Sequence, residues 1–222
     1  DYSLGKNFAD FAGQFSKDSR YRTELYKLRR KFMSHADGLI HADLHTSNIM
    51  ASRDKMKVID MEFAFMGPFG YDLGYLVGNL ISQYCAACFK RFPSEQNRKQ
   101  FKAYLLATIQ SLIETYMKTF TLCWERSVKE RYRGQQGLLQ SILQEVMVDM
   151  PGYASMVNWF RSVSEIPYPD FDVIENKDAK RNATVLSLMI DWGIMFGRYK
   201  YQSADDLIET IIGIEEEFRK SL

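Results

Sequence analysis

The sequence predicts an α+β fold that is mostly helical, with a small β-hairpin near its front. Of its 222 residues, 46% are hydrophobic and 26% are charged, which is ordinary for one globular domain. Short segments with β-type composition occur only between residues 38 and 60. Beyond residue 72, apolar side chains recur at helical spacing almost to the end of the chain. Both patterns together favour a helical domain that carries a hairpin.

The front of the chain predicts one helix and three short strands. We expect an extended lead-in over residues 1–18 and then a helix that Ser16 or Asp18 caps and that ends near Ser34. The pattern then predicts three strands, at 38–41, 48–51 and 56–60. A polar turn at 52–55 joins the last two strands, and a loop follows at 67–70.

The remainder of the chain predicts helices, at about 71–89, 101–124, 137–149, 152–163, 178–200 and 203–220. Glycines at 70, 74 and 78 would let another helix approach the first of these closely. The segment 166–170 holds two prolines and is expected to be extended, because proline disfavours helix in the residue before it. An aromatic stripe on the second of these helices is expected in the core: Tyr104, Leu112, Tyr116, Phe120 and Trp124.

Composition excludes several classes of protein. The formal net charge is only +1, which argues against an electrostatic nucleic-acid binder. Three cysteines are too few for a secreted disulfide scaffold and fit a cytoplasmic location. No uncharged run reaches the ~20 strongly apolar residues that a membrane span needs.

A cluster of polar residues lies where the predicted hairpin meets its flanking loops. Asp43 is on the loop after the first strand, Asn48 opens the second strand, and Asp60 ends the third. Because a hairpin brings its two ends together, these side chains can converge. One carboxylate that takes a proton, with an amide and a second carboxylate for a hard cation, suits phosphoryl transfer. Each residue alone could be a turn, cap or strand-end residue, and their joint spacing favours the chemical interpretation.

The same spacing resembles a known enzyme superfamily. His-x-Asp-x-x-x-x-Asn at 41–48, followed by Ile-Asp at 59–60, resembles the catalytic loop and metal site of protein kinases. Its His-x-Asp-Leu-His-x-x-Asn form is that of aminoglycoside phosphotransferases and choline kinases. Two further segments resemble the S-methyl-5-thioribose kinase family. Residues 58–74 carry Asp-x-Glu where protein kinases carry Asp-Phe-Gly, and Gly-Asn-Leu follows at 78–80.

The resemblance implies that residues 1–222 form the C-terminal lobe of a kinase-like fold. No Gly-x-Gly of a phosphate loop occurs in the sequence, so the ATP-binding N-terminal lobe is expected to lie outside this chain. The implied activity is transfer of the ATP γ-phosphoryl group, with Mg²⁺, to the 1-hydroxyl of a methylthioribose-like sugar. The expected partners are ATP and the sugar, without nucleic acid or membrane; a homodimer stays open.

The resemblance also assigns roles to individual residues. Asp43 would accept or orient the hydroxyl proton, and Asn48 and Asp60 would hold the metal. Glu62 would be a further ligand, or else a solvated strand end. Two supporting residues complete the set: His41, which would brace the loop, and Asp72, which would bond the loop backbone, cap a helix, or do both.

One departure from the family concerns the substrate. A twin arginine is expected near the sugar, but Asn158 and Trp159 stand at that place, and Arg161 lies close enough to substitute. Trp159 and Arg161 are therefore the candidate substrate-binding residues. Two other functions stay open: a related kinase acting on an aminoglycoside, choline or another pentose, and a kinase-like module that binds without catalysis.

Overall fold

The computed structural model describes residues 17–163 and 169–222. Most of the predicted lead-in, and residues 166–168 of the predicted extended segment, lie outside these ranges. The strands and helices are, in chain order, α1 (Ser19–Ser34), β1 (Gly38–Ile40), β2 (Ile49–Ala51), β3 (Met56–Val58), β4 (Phe65–Gly67), α2 (Gly70–Phe89), α3 (Glu95–Ser127), α4 (Gln136–Val163), α5 (Lys177–Gly197) and α6 (Ala204–Ser221). The predicted mostly helical α+β class is confirmed.

Helix α1 begins where its capping residue predicts. The Asp18 carboxylate accepts hydrogen bonds from the backbone N–H groups of Arg20 (2.7 Å) and Tyr21 (3.3 Å), which satisfies donors that the first helical turn leaves free. Tyr21 and Leu28 lie two turns apart on the buried face of the helix. This face forms one side of the core beneath the loop that follows β1.

The strands form two separate antiparallel pairs. Strands β2 and β3 are the predicted hairpin, with Ile49 opposite Val58. Strand β1 pairs with β4, with Gly38 opposite Gly67. The sequence predicts a loop from residue 67 and no strand before it, so strand β4 corrects that prediction. A strand of three residues is too short to show the alternation of apolar and polar side chains that identifies strands in a sequence. Both pairs hold the segment 41–48 beside the segment 59–64.

Helix α2 packs closely on α4 through its glycines. A methyl group added at Gly74 would lie 2.6 Å from the Met150 carbonyl oxygen, and one at Gly78 would lie 2.9 Å from that of Ala154. No side chain larger than hydrogen fits at such distances without movement. The predicted close approach of a second helix is therefore confirmed, and it fixes α2 against the centre of the domain.

Two helical predictions need correction. Residues 137–149 and 152–163 belong to the single helix α4, which continues through Pro151; packing along α2 and the hydrogen bond from Arg198 to the Val148 carbonyl (3.2 Å) hold this segment. In α3 the most buried side chains are Leu105, Ile109 and Ile113. The stripe predicted from Tyr104 to Trp124 is only partly buried, and Tyr104 is 62% exposed.

The core has a helical part and a smaller part under the candidate site. The smaller part joins α1, β1, α2, α4 and α5 through Tyr21, Leu28, Ile40, Tyr71, Tyr75, Tyr153, Val157 and Met195. Tyr71 packs edge to face on Tyr75 and on Tyr153, and its ring lies 5.1 Å from that of Tyr153. Across the described ranges, no helix combines the length and the apolar character that crossing a membrane demands.

Candidate active site

The loop after β1 is shaped by the first turn of α2. Ala42 has a positive φ of 67°, a left-handed conformation that costs a non-glycine residue roughly 1–2 kcal/mol. The Asp72 carboxylate accepts hydrogen bonds from the backbone N–H groups of His41 (2.6 Å) and Ala42 (2.9 Å). Burial raises the pKa of Asp72, and the two backbone hydrogen bonds oppose that rise. Asp72 therefore stabilises the turn that presents Asp43.

His41 ties this loop to the end of the hairpin. Its Nε2 lies 2.8 Å from the carbonyl oxygen of Ile59, which can only accept, so Nε2 carries the proton. Its Nδ1 is then free to accept from the backbone N–H of Asp43, at 3.3 Å. The imidazole is buried and holds two segments of the site at a fixed separation.

The Asp43 carboxylate contacts one side chain of α2 and one of its own loop, and a residue of α4 bonds the first of these. Its Oδ1 accepts a 2.9 Å hydrogen bond from the Tyr75 hydroxyl, and that hydroxyl accepts one from the Arg161 guanidinium (3.1 Å). His45 Nε2 lies 3.5 Å from Oδ2. Burial raises the pKa of Tyr75, Asp43 raises it further, and Arg161 lowers it. Tyr75 thus stays protonated at neutral pH and acts as a donor to Asp43.

Asn48 is oriented by the same loop. Its Nδ2 donates to the Asp43 carbonyl oxygen (3.0 Å), so the amide nitrogen is engaged and Oδ1 remains as an acceptor. Its own carbonyl accepts from the N–H of Ile59 (3.0 Å), which extends the hairpin ladder by one bond. This bond sets Asn48 across from the residue that precedes Asp60.

Asp60 and Glu62 provide carboxylates at the end of the hairpin. Asp60 has a positive φ of 66°, a region in which aspartate is enriched among non-glycine residues. Both side chains are exposed, and neither has a hydrogen bond or ion pair with any residue in 17–163 or 169–222. Among those residues no three of His, Cys, Asp or Glu form a metal-binding group. An amide oxygen and two carboxylates still suit Mg²⁺, which keeps several waters and binds substrate phosphates.

Two contributors were missed by sequence reasoning. Tyr75 contacts Asp43, and Asn79 Oδ1 accepts from the backbone N–H (3.0 Å) and the hydroxyl (2.6 Å) of Thr46. They follow Asp72 by three and seven residues, which places all three on one face of α2. The signal that could have found them was this helical spacing, counted from Asp72.

A cavity of about 910 Å³ opens beside Asp43. Trp159 and Arg161 also line it, so the two candidate substrate-binding residues share a cavity with the candidate catalytic residue. The indole Nε1 of Trp159 is buried without a hydrogen-bond partner among the described residues. Asn158 does not line the cavity; it is 1% exposed and lies in the core.

Comparison with known proteins gives one family match and several similar kinases. Residues 9–112 match the model of the phosphotransferase enzyme family. The chain is 32% identical to the methylthioribose kinase of Geobacillus thermodenitrificans over 198 residues, which cover 89% of this chain and 48% of the relative. It is 33% identical to that of Geobacillus kaustophilus over 190 residues (86% and 46%), and 30% identical to methylthioribose kinase 2 of Oryza sativa subsp. japonica over 209 residues (89% and 48%).

The helical lobe, with its loop, hairpin and acidic residues, is the C-terminal lobe of a kinase-like phosphotransferase fold. Within that class the chain is a homologue of the methylthioribose kinases. The resemblance inferred from the motifs is therefore confirmed. The chain spans about half the length of the curated relatives that it matches. A kinase of this family implies ATP and a divalent metal.

Proposed function

We propose that the protein containing this chain is an ATP-dependent kinase that phosphorylates the 1-hydroxyl of S-methyl-5-thioribose. The observation that carries the proposal is the position of Asp43. Its carboxylate is held by Tyr75 at the wall of a cavity, and its loop is bonded to the hairpin end from which Asn48 and Asp60 project. This arrangement supplies a base at an acceptor pocket next to oxygen ligands for a metal.

Asp43 would position the acceptor hydroxyl and take its proton as the phosphoryl group is transferred. The Tyr75 hydrogen bond occupies Oδ1, and it leaves lone pairs on Oδ2 for the substrate. Asp72 and His41 act through the backbone of the loop and keep Asp43 in place. Little covalent chemistry is asked of the protein, because this reaction depends on position and charge.

The residues that would hold Mg²⁺ are Asn48, Asp60 and Glu62. A bound Mg²⁺ supplies charge neutralisation for the phosphates of ATP. The Asn48 amide is turned so that Oδ1 is available. The carboxylates of Asp60 and Glu62 are exposed and unpaired within the described part of the chain. The donor set therefore fits the ion that the family implies.

The charge of the cavity disfavours the cationic alternatives. Its lining includes three arginines, Arg22, Arg29 and Arg161, and one carboxylate, Asp43. An aminoglycoside or choline would bring positive charge to a wall that is already positive. A neutral sugar meets no such repulsion. A cytoplasmic location, where ATP is available, accompanies this proposal.

Replacement of Asp43 tests the proposal. In the full-length protein, Asp43→Asn keeps the shape of the side chain and removes the base, so phosphorylation of methylthioribose should fall by about 10²–10⁴-fold in kcat. Nucleotide affinity should change little. Asp54→Asn, in the exposed turn of the same hairpin, is the matched control. Near-normal turnover by Asp43→Asn would remove Asp43 from the reaction and overturn the proposal.

A further inference from the structure

The cavity beside Asp43 has an apolar lining that a polyol alone does not explain. Among the described residues that line it, none is Ser, Thr, Asn, Gln, His, Lys or Glu. Most of this part of the wall is aromatic or aliphatic, and it includes Leu25, Phe32, Met33, Phe63, Trp159 and Phe160. Each sugar hydroxyl buried here would need a polar partner or incur a desolvation cost. The lining suits an apolar group.

The size of the cavity also indicates a ligand larger than a methylthio-substituted pentose. At about 910 Å³ it lies near the upper end of the range of roughly 300–1,000 Å³ that holds drug-sized ligands. A pentose with a methylthio group fills only a small part of such a volume. The remaining space continues from Asp43 along the facing sides of α1 and α4, to which Met33 and Phe160 belong.

Large apolar side chains are exposed at this cavity. Met33 is 75% exposed, Phe63 58% and Phe160 55%. Side chains of this kind, gathered around one opening, mark a ligand-binding groove or an interaction surface. The charged and polar groups lie at separate points and include the Asp43 carboxylate, the Tyr75 hydroxyl, and the guanidinium groups of Arg22, Arg29 and Arg161.

We propose that the preferred acceptor is a neutral alcohol that carries an apolar substituent larger than methylthio, of the size of a benzylthio group. The hydroxyl to be phosphorylated would lie at Asp43, and the substituent would pack between Phe160 and the apolar side chains of α1. The ring of Trp159 adds a flat apolar surface to the same wall. This inference rests on the proposed kinase function and names the substrate class of the same site.

Kinetic comparison of two acceptors tests the inference. The full-length protein is assayed with ATP, Mg²⁺ and either S-methyl- or S-benzyl-5-thioribose. Even one additional methylene in an apolar pocket changes kcat/KM by about tenfold or more, so the benzyl compound should exceed the methyl compound by at least about tenfold. Equal or lower kcat/KM for the benzyl compound would overturn the inference while the kinase function stands.

Direct binding separates the inference from the proposed function. Calorimetric titration measures the Kd of both compounds without any need for turnover. Binding of the benzyl compound about tenfold or more tighter would support the inference even if neither compound were phosphorylated, an outcome that would contradict the kinase function alone. Equal Kd values, or tighter binding of the methyl compound, would overturn the inference.

A matched pair of variants locates the contact. Phe160→Ala removes an aromatic side chain from the cavity wall and should raise the benzyl-to-methyl ratio of Kd values by about fivefold or more, because only the benzyl compound loses a contact. Leu138→Ala truncates an exposed side chain of the same helix that does not line the cavity and should leave the ratio unchanged. Equal ratios for Phe160→Ala and Leu138→Ala would overturn the assigned contact.

Discussion

The Tyr75 hydroxyl donates a hydrogen bond to Asp43 across 2.9 Å. Tyr75 lies on α2 one turn beyond Asp72, whose carboxylate holds the backbone of the loop that carries Asp43. The same helix face thus shapes the loop and orients the carboxylate at its tip. Because α2 is fixed against α4 at its glycines, this arrangement rests on rigid elements, which a reaction that depends on positioning requires.

Removal of this hydrogen bond should slow the reaction more than it weakens binding. Tyr75→Phe keeps the ring and leaves the Asp43 carboxylate without its donor. A hydrogen bond to a charged group contributes about 1.5–3 kcal/mol, so kcat should fall by about tenfold or more. The KM for the acceptor should change much less. Steady-state kinetics of the full-length protein measures both.

Tyr116→Phe is the control for that variant. Its hydroxyl donates an equally long hydrogen bond of 2.9 Å, but to the backbone carbonyl of Phe69. A comparable loss of thermal stability with unchanged kcat is expected, because this hydroxyl donates to a backbone carbonyl and not to the Asp43 carboxylate. If both variants lowered kcat equally, the effect would belong to general stability and not to the orientation of Asp43.

Asp60 should control the metal requirement. Asp60→Asn halves the number of oxygens at this position and removes the charge, so the Mg²⁺ concentration for half-maximal activity should rise by about tenfold or more. Asp54→Asn removes a carboxylate from the exposed turn of the same hairpin and should not shift it. A Mg²⁺ titration of activity distinguishes the two. An unchanged Mg²⁺ requirement in Asp60→Asn would assign the metal to other ligands.

The local parts of the fold were predictable because local chemistry decides them. The Asp18 cap, the hairpin turn and the glycine spacing of α2 are each read within a few residues. Strand β4 and the continuity of α4 through Pro151 depend on partners far away in the chain. A pattern of a few residues carries no record of such partners, since tertiary packing overrides local propensity there.

In the candidate site, too, contacts between nearby residues were predictable and contacts between distant residues were not. The spacing of Asp43, Asn48 and Asp60 was visible in the sequence, because these residues lie close to one another along the chain. Tyr75 and Arg161 contact each other across 86 residues, and only the packing of α2 on α4 brings them to Asp43. Helical spacing from Asp72 could place Tyr75 on the face of α2 that meets the loop, but the hydrogen bond from Arg161 to Tyr75 could not be predicted from spacing.

The glycines of α2 should be intolerant of a side chain. Gly74→Ala would place a methyl group 2.6 Å from the Met150 carbonyl and 2.7 Å from Tyr153 Cβ, and overpacking of this kind costs typically about 1–3 kcal/mol. Gly213→Ala, in the exposed part of α6 with nothing within 4 Å of the added atom, should stabilise by up to about 1 kcal/mol. Denaturant unfolding measures both; a stabilised Gly74→Ala would contradict the close packing of α2 on α4.

Asp191 is a fully buried carboxyl group in the middle of α5. Neither oxygen has a hydrogen bond of ordinary geometry with a described residue. Burial raises the pKa of Asp191 well above its usual range, and the nearby Asn158 amide opposes this only in part. The unfolded chain ionises this group near pH ~3.9, whereas the folded protein favours the neutral form. Asp191 therefore lowers the free energy of unfolding progressively as the pH rises from about 4 towards the folded-state pKa.

Asp191→Asn should remove this pH dependence, because an amide of the same shape does not ionise. The Tm of the variant should exceed that of the unmodified protein by an amount that grows between pH 5 and pH 8, reaching about 2 °C or more for each kcal/mol released. Asp178→Asn, at the exposed start of the same helix, should give a difference that is flat over this range. Thermal unfolding at a series of pH values measures all three proteins. A Tm difference for Asp191→Asn that is the same at pH 5 and pH 8 would mean that the Asp191 carboxyl ionises in the fold as readily as in the unfolded chain, and that burial does not control its pKa.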